Sequence, residues 1–311
     1  MEKKGLPNET GNNFVLITGE NPFIGRASRP HLFNSRTMRK SFLVGALLLA
    51  GICGNGLRAQ AWELGGWLGT TFYFGDLNTN FSLQRPGPAL GVLVRRNFDT
   101  RVSLRAGINA GRMGFSDELS GNPFQQARNL SFASNFVEFS IGGDFNFLPY
   151  LHGDRKRFYT PYLTAGVGVF AFDPEAKYND RWYRLRPLGT EGQAEGNEYA
   201  TVQPNLNLGG GFKVDLNASW SLNLEVNYRF LFTDYLDDVS GNYADVATIA
   251  ATRGAVAAAL ADRSLELDPD GTPIGQPGRQ RGDGVQRDGF MTVGLALVYS
   301  FTTINCPGFK K

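Results

Sequence analysis

From Trp62 onward, apolar residues alternate with small or polar ones in eight stretches of about 10 to 17 residues. This two-residue period constrains the fold more than any other feature of the chain. Successive side chains of an extended strand point to opposite faces, so each stretch makes a strand that is apolar on one side and polar on the other. The stretches are 62–74, 88–98, 101–113, 131–147, 159–172, 201–215, 221–232 and 289–301. In the third, Val102, Leu104, Ala106, Ile108 and Ala110 oppose Arg101, Ser103, Arg105, Gly107 and Asn109. In the seventh, Leu222, Leu224, Val226, Tyr228, Phe230 and Phe232 oppose Ser221, Asn223, Glu225, Asn227 and Arg229. The last strand carries Met291, Val293, Leu295, Leu297, Tyr299 and Phe301 on one face, with an aromatic at its end.

A soluble sandwich also alternates, and alternation alone does not say which face points inward. The connections decide. They run 75–87, 99–100, 114–130, 148–158, 173–200, 216–220 and 233–288, so long loops alternate with short turns. That phase is the one of outer-membrane barrels, which have long loops outside the cell and short turns in the periplasm. The expected fold is therefore all-β: an eight-stranded antiparallel transmembrane β-barrel of the outer-membrane type, with long external loops. A secreted β-sandwich is the alternative. Composition agrees, with 39 Gly and 24 Phe beside only 4 Met. A formal net charge of +2, from 31 Lys and Arg against 29 Asp and Glu, excludes a strongly basic nucleic-acid binder.

No apolar run reaches the roughly 20 residues of a membrane-spanning helix. Residues 41–52 are apolar, follow Met38-Arg39-Lys40 and precede Leu57-Arg58-Ala59-Gln60. A basic start, a short apolar core and a small residue before the cut describe a secretory signal peptide over 38–59. Residues 1–37 read as an over-extended gene start, or else an unusual leader. The barrel then covers 60–301, and 302–311 form a periplasmic tail. Cys53 would leave with the signal segment, since the bulky Ile52 argues against a lipoprotein site. Cys306 is then alone, an unpaired tail thiol or a redox group.

Eight strands enclose an interior that side chains just fill. The inward set includes Arg95, Arg105, Glu138, Asp144, Lys213, Glu225 and Arg229. Lone charges in so narrow a space are costly, so paired Arg–carboxylate contacts and a plugged lumen are expected, with a pore as the alternative. This set contains no histidine. Of the 2 histidines, His31 falls in the leader and His152 in a periplasmic turn. Neither can serve at the outer rim, where barrel lipases and proteases place theirs, so no enzyme, no cofactor and no histidine metal site is expected. Asp268-Pro269-Asp270-Gly271 resembles half of a calcium loop, but a solvated turn fits its missing carboxylates better. Residues 244–263 are Ala-rich and make a candidate helix interrupted by Gly254, able to cap the mouth or dock a partner. The basic turn Arg155, Lys156, Arg157 is either plain solvated surface or a docking point for an acidic partner.

Several stretches at the loop and strand ends carry a family resemblance. They are Tyr73-Phe74-Gly75-Asp76-Leu77-Asn78, Asn122-Pro123-Phe124 with Arg128-Asn129-Leu130-Ser131-Phe132, and Thr233-Asp234-Tyr235-Leu236-Asp237-Asp238-Val239-Ser240. Ala257-Ala258-Ala259-Leu260-Ala261-Asp262-Arg263-Ser264 and Cys306-Pro307-Gly308-Phe309 complete the set. Together they resemble the PorG-type outer-membrane proteins, over essentially all of the chain from Met38. The resemblance implies a small barrel of the type IX secretion system that contacts periplasmic ring proteins and has no reaction of its own. Its implied partners are outer-membrane lipid and that ring, with no nucleic acid and no small-molecule substrate. The motif residues it marks are Tyr73, Gly75, Asp76, Asp234, Tyr235, Asp237 and Asp238. The runner-up is a small pore or surface-binding barrel acting through its external loops.

Overall fold

Strand β1, Trp62–Phe74, pairs antiparallel with β2, Gly87–Asn97, which pairs with β3, Val102–Ser116, and β3 in turn with β4, Ser131–Asn146. The series continues through β5, Tyr159–Tyr178, β7, Val202–Asp215, β8, Trp220–Leu231, and β9, Gly289–Phe301. Finally β9 pairs with β1 and closes the ring, Trp62 opposite Phe301 and Phe74 opposite Gly289. The result is a closed eight-stranded antiparallel barrel. The computed structural model describes residues 62–265, 274–284 and 286–301. The expected leader, signal segment and tail, and the 268–271 turn, lie outside them.

The eight barrel strands are those expected from alternation, with most ends in place or shifted by a single residue. β3 runs three residues further, to Ser116, and β5 runs on to Tyr178 and folds back on β6, Arg181–Arg184, as a hairpin. Pro174 reads as a strand breaker in the sequence. Here Asn179 and Asp180 both take positive φ at the tip, 48° and 62°, the geometry of a two-residue hairpin turn.

Parity decides which face is which. Along β2, Leu90, Val92 and Val94 are exposed while Ala89, Leu93 and Arg95 are buried. The same inversion holds on β8, with Leu222, Leu224 and Val226 outside and Ser221, Asn223 and Asn227 inside. Apolar groups therefore point out and charges point in, opposite to a sandwich in water. A soluble monomer rarely exposes a contiguous apolar patch above a few hundred Å². Here the apolar surface continues from strand to strand, and lipid is the medium that such a belt fits. Aromatics gather at its lower edge, where Trp220 packs on Tyr299 at 5.1 Å, Tyr299 on Phe301 at 4.9 Å and Phe145 on Phe147 at 5.7 Å. No helix among the described residues is long and apolar enough to cross a membrane.

Above the belt the external loops fold into a cap. Helix α1, Pro123–Arg128, lies in the second loop, and α2, Val246–Arg253, with α3, Ala255–Ala261, in the fourth. The last two are the Ala-rich candidate helix, split at Gly254 where φ is +91°. Tyr73, Phe115, Phe132, Phe136, Phe170, Phe290, Leu77, Leu130, Leu236, Val239 and Leu260 share one buried cluster. It joins the upper lumen to the cap.

Candidate functional site

The lumen charges divide into two layers. In the lower one, Arg95 Nε lies 2.7 Å from Asp144 Oδ2, and its Nη1 donates to Glu63 Oε2 at 2.6 Å. Lys213 Nζ donates to Asp144 Oδ2 at 3.0 Å, and Arg105 Nη1 to Glu225 Oε2 at 2.6 Å. Tyr162 adds a hydrogen bond to Glu225 Oε2 at 2.5 Å. In the upper layer Glu138 accepts from Asn109 at 2.8 Å, Asn205 at 2.9 Å and Arg229 Nη2 at 3.2 Å. Arg229 also covers the Phe290 ring, 5.4 Å from its centroid. All seven expected lumen residues are thus brought into contact, in two groups. A cavity of about 20 Å³ lies between the layers, room for roughly one water.

Two members of the lower layer were missed in the sequence. Glu63 sits at an inward position of β1, and its parity was a sufficient signal. His152 corrects the expectation of a charged set without histidine: Nε2 lies 2.9 Å from Glu63 Oε1 and Nδ1 2.8 Å from Asp215 Oδ1. The 147–158 turn folds back under the barrel and places this ring at the end opposite the cap. Burial opposes its protonation, but the hydrogen bonds and charges of Asp215 and Glu63 raise its pKa from 6.5 to about 9.

The motif residues meet at the opposite end. Tyr73 OH lies 2.5 Å from Asp237 Oδ2 and 3.0 Å from Asp288 Oδ1. A phenol has one proton, so when it donates to one carboxylate the second contact requires a protonated acid as donor. Burial and then mutual repulsion raise both acids well above the carboxylate range, Asp237 through Asp76 and Asp288 through Asp237. Gly75 is needed here, because a Cβ on it would fall 1.8 Å from Asp288 Oδ1. Asp76 Oδ1 accepts from the Asp283 backbone N–H at 2.9 Å. Burial and the charges of Asp234 and Asp283 push Asp76 up to about 7, against that hydrogen bond. Burial carries Asp234 to about 6, opposed by the nearby Ser240.

Two arginines tie the loops around this cluster. Arg128 holds Asp117 through Nε at 2.8 Å and Nη2 at 2.7 Å, and donates to the carbonyl oxygens of Asp76 and Arg281. Arg281 meets Glu191 Oε1 at 3.0 Å and the Asp238 carbonyl at 2.5 Å. Asp238 also accepts from Tyr199 at 2.7 Å and Thr190 at 2.5 Å, and Tyr235 stacks on Tyr199 at 4.7 Å. Alternation gives no hint of Asp283, Asp288 or Arg281, which lie in the returning limb of the fourth loop. The basic turn stands apart, with Arg155, Lys156 and Arg157 all exposed.

A family model described as a domain of unknown function, DUF6089, matches residues 40–250. No curated protein matches the chain by sequence. Among solved structures it is similar in outline to Neisserial surface protein A, at 8% identity and TM-score 0.39 over 78% of this chain and 99% of that one. Ail, the attachment invasion locus protein of Yersinia pestis, gives 10% identity and TM-score 0.38 over 78% and 99%. The outer membrane protein OprG from Pseudomonas aeruginosa gives 9% and 0.34 over 80% and 99%. The barrel assignment rests on the chain's own closed strand ladder and outward apolar belt.

Proposed function

This chain belongs to the DUF6089 family, and from that premise we propose that it is an integral outer-membrane component of the type IX protein secretion machinery. In this reading it has no reaction of its own and docks the periplasmic ring with its inner face. The observation that carries the reading is the filled lumen. Four cations, Arg95, Arg105, Lys213 and Arg229, are matched by four carboxylates, Glu63, Glu138, Asp144 and Glu225. Such an interior leaves no open route for solute, so the work falls to the two ends. His152 has both ring nitrogens engaged by carboxylates at the periplasmic rim, which argues against its use as an acid–base catalyst. The resemblance to PorG-type proteins and the exposed 155–157 turn support the periplasmic assignment.

Pull-down of the tagged barrel from detergent-solubilised outer membrane tests it. Ring subunits should be recovered, and should be lost from an Arg155→Glu, Lys156→Glu, Arg157→Glu variant that inserts at wild-type level. Absence of ring subunits, with cargo still exported by a deletion strain, would overturn the reading. A second reading, a surface-binding barrel, is favoured by the folded external cap, whose loops share a buried core.

A further inference from the structure

We propose that Asp76, Asp234 and Asp283 at the external mouth form a binding site for a hard divalent cation of the calcium class, which locks the first loop to the fourth. One oxygen from each of the three carboxylates lies within 4.8 Å of the others. Oxygens bound to one calcium at about 2.3–2.6 Å can be at most about 5.2 Å apart, so the trio already has the spread of a shared coordination shell. An all-oxygen donor set selects calcium or magnesium over zinc or copper.

The second observation is Asp76 itself. It is 4% exposed, and its Oδ2 is buried without a hydrogen-bond donor. Both Asp234 oxygens are likewise buried and meet no donor in good geometry. Neither residue has a Lys or Arg at ion-pair distance among the described residues. Arg128, the guanidinium nearest in charge effect, spends its donors on Asp117 and on two carbonyls. A buried carboxylate oxygen with neither donor nor cation is costly, and a bound cation removes that cost.

Backbone leaves the space open. A Cβ on Gly282 would fall 2.4 Å from Asp76 Oδ2 and 2.7 Å from the Ser240 carbonyl oxygen. A Cβ on Gly284, where φ is +62°, would fall 3.3 Å from that same carbonyl. Gly282 therefore borders both Asp76 Oδ2 and the Ser240 carbonyl oxygen, and Gly284 borders that carbonyl from the other side of Asp283. Asp237 and Asp288 lie against the Tyr73 hydroxyl and accept from the Val239 and Leu236 backbone N–H groups, so they are neighbours of the site and not its ligands.

The test is calcium titration of the folded full-length barrel in nanodiscs, read by calorimetry and by hydrogen exchange. One calcium per chain should bind with a dissociation constant on the order of 10⁻⁴–10⁻³ M, the range of extracellular modules. Exchange in residues 75–80, 234–240 and 280–284 should slow on binding, and chelator should reverse it. Asp234→Asn should weaken binding about tenfold or more, whereas Asp180→Asn, an exposed carboxylate at the β5–β6 tip, should leave it unchanged. Equal binding by Asp234→Asn, or no calcium effect on exchange in the wild-type protein, would overturn the proposal. So would binding of magnesium with none of calcium. The wild-type titration needs no variant to fold, and none of these outcomes depends on ring docking.

Discussion

His152 is held between Asp215 and Glu63, and its charge is therefore a property of the folded barrel. Its folded pKa of about 9 lies above the unfolded value of 6.5. The stabilisation is thus complete below about pH 6.5 and is lost as pH rises through about 9. A gap of this size corresponds to about 3 kcal/mol at most. His152→Gln should lower unfolding stability by about 2–3 kcal/mol at pH 6 and by almost nothing at pH 10. Urea titrations in lipid at the two pH values, followed by tryptophan fluorescence, check this. A deficit independent of pH would show that the ring serves by packing alone. The same residue marks a limit of sequence reading. Its position in a turn was legible, but its return beneath the lumen depends on a turn conformation that alternation does not encode.

At the scale of elements, Gly254 separates α2 from α3 with φ +91° and ψ 171°, a region close to glycine-only. No side chain or backbone crowds it, so Gly254→Ala tests backbone strain without a clash. The substitution should cost about 1–3 kcal/mol locally and raise the rate of proteolysis within 246–261, with the strands unaffected. Unchanged proteolysis would mean that the two helices tolerate another junction. The barrel strands themselves were legible because each exposes apolar side chains on one face, while the other carries small, polar, charged or aromatic ones. The β5–β6 hairpin was not, since Pro174 interrupts the pattern and Asn179-Asp180 alone carries the turn signal. Helix α1 was missed for a similar reason. Its six residues are too few for a helical period to register, and only the Asn122 cap and Pro123 announce it.

For the whole molecule, the two ionic layers and the aromatic cluster above them form a continuous plug. Planar-bilayer recordings of the purified barrel should therefore show no stable single-channel steps, and reproducible steps would require that the layers open. The lumen half of the candidate site was legible from parity, down to seven named charges. The mouth was legible only in part: Asp76 and Asp234 stand out in the motif stretches, while Asp283 reaches them from over two hundred residues beyond Asp76, through loop folding that no local pattern records. Closure of the ring has a further consequence. The seam joins the first strand to the last, Trp62 to Phe301, so its contacts span almost the whole described chain. Loop-closure entropy makes contacts of such sequence separation late and slow to form. Until β9 is synthesised and arrives, β1 presents an open edge of unpaired amides in a medium without water, where each costs several kcal/mol. Insertion of this barrel therefore calls for a chaperoning template that holds the β1 edge until its own C-terminal strand replaces it.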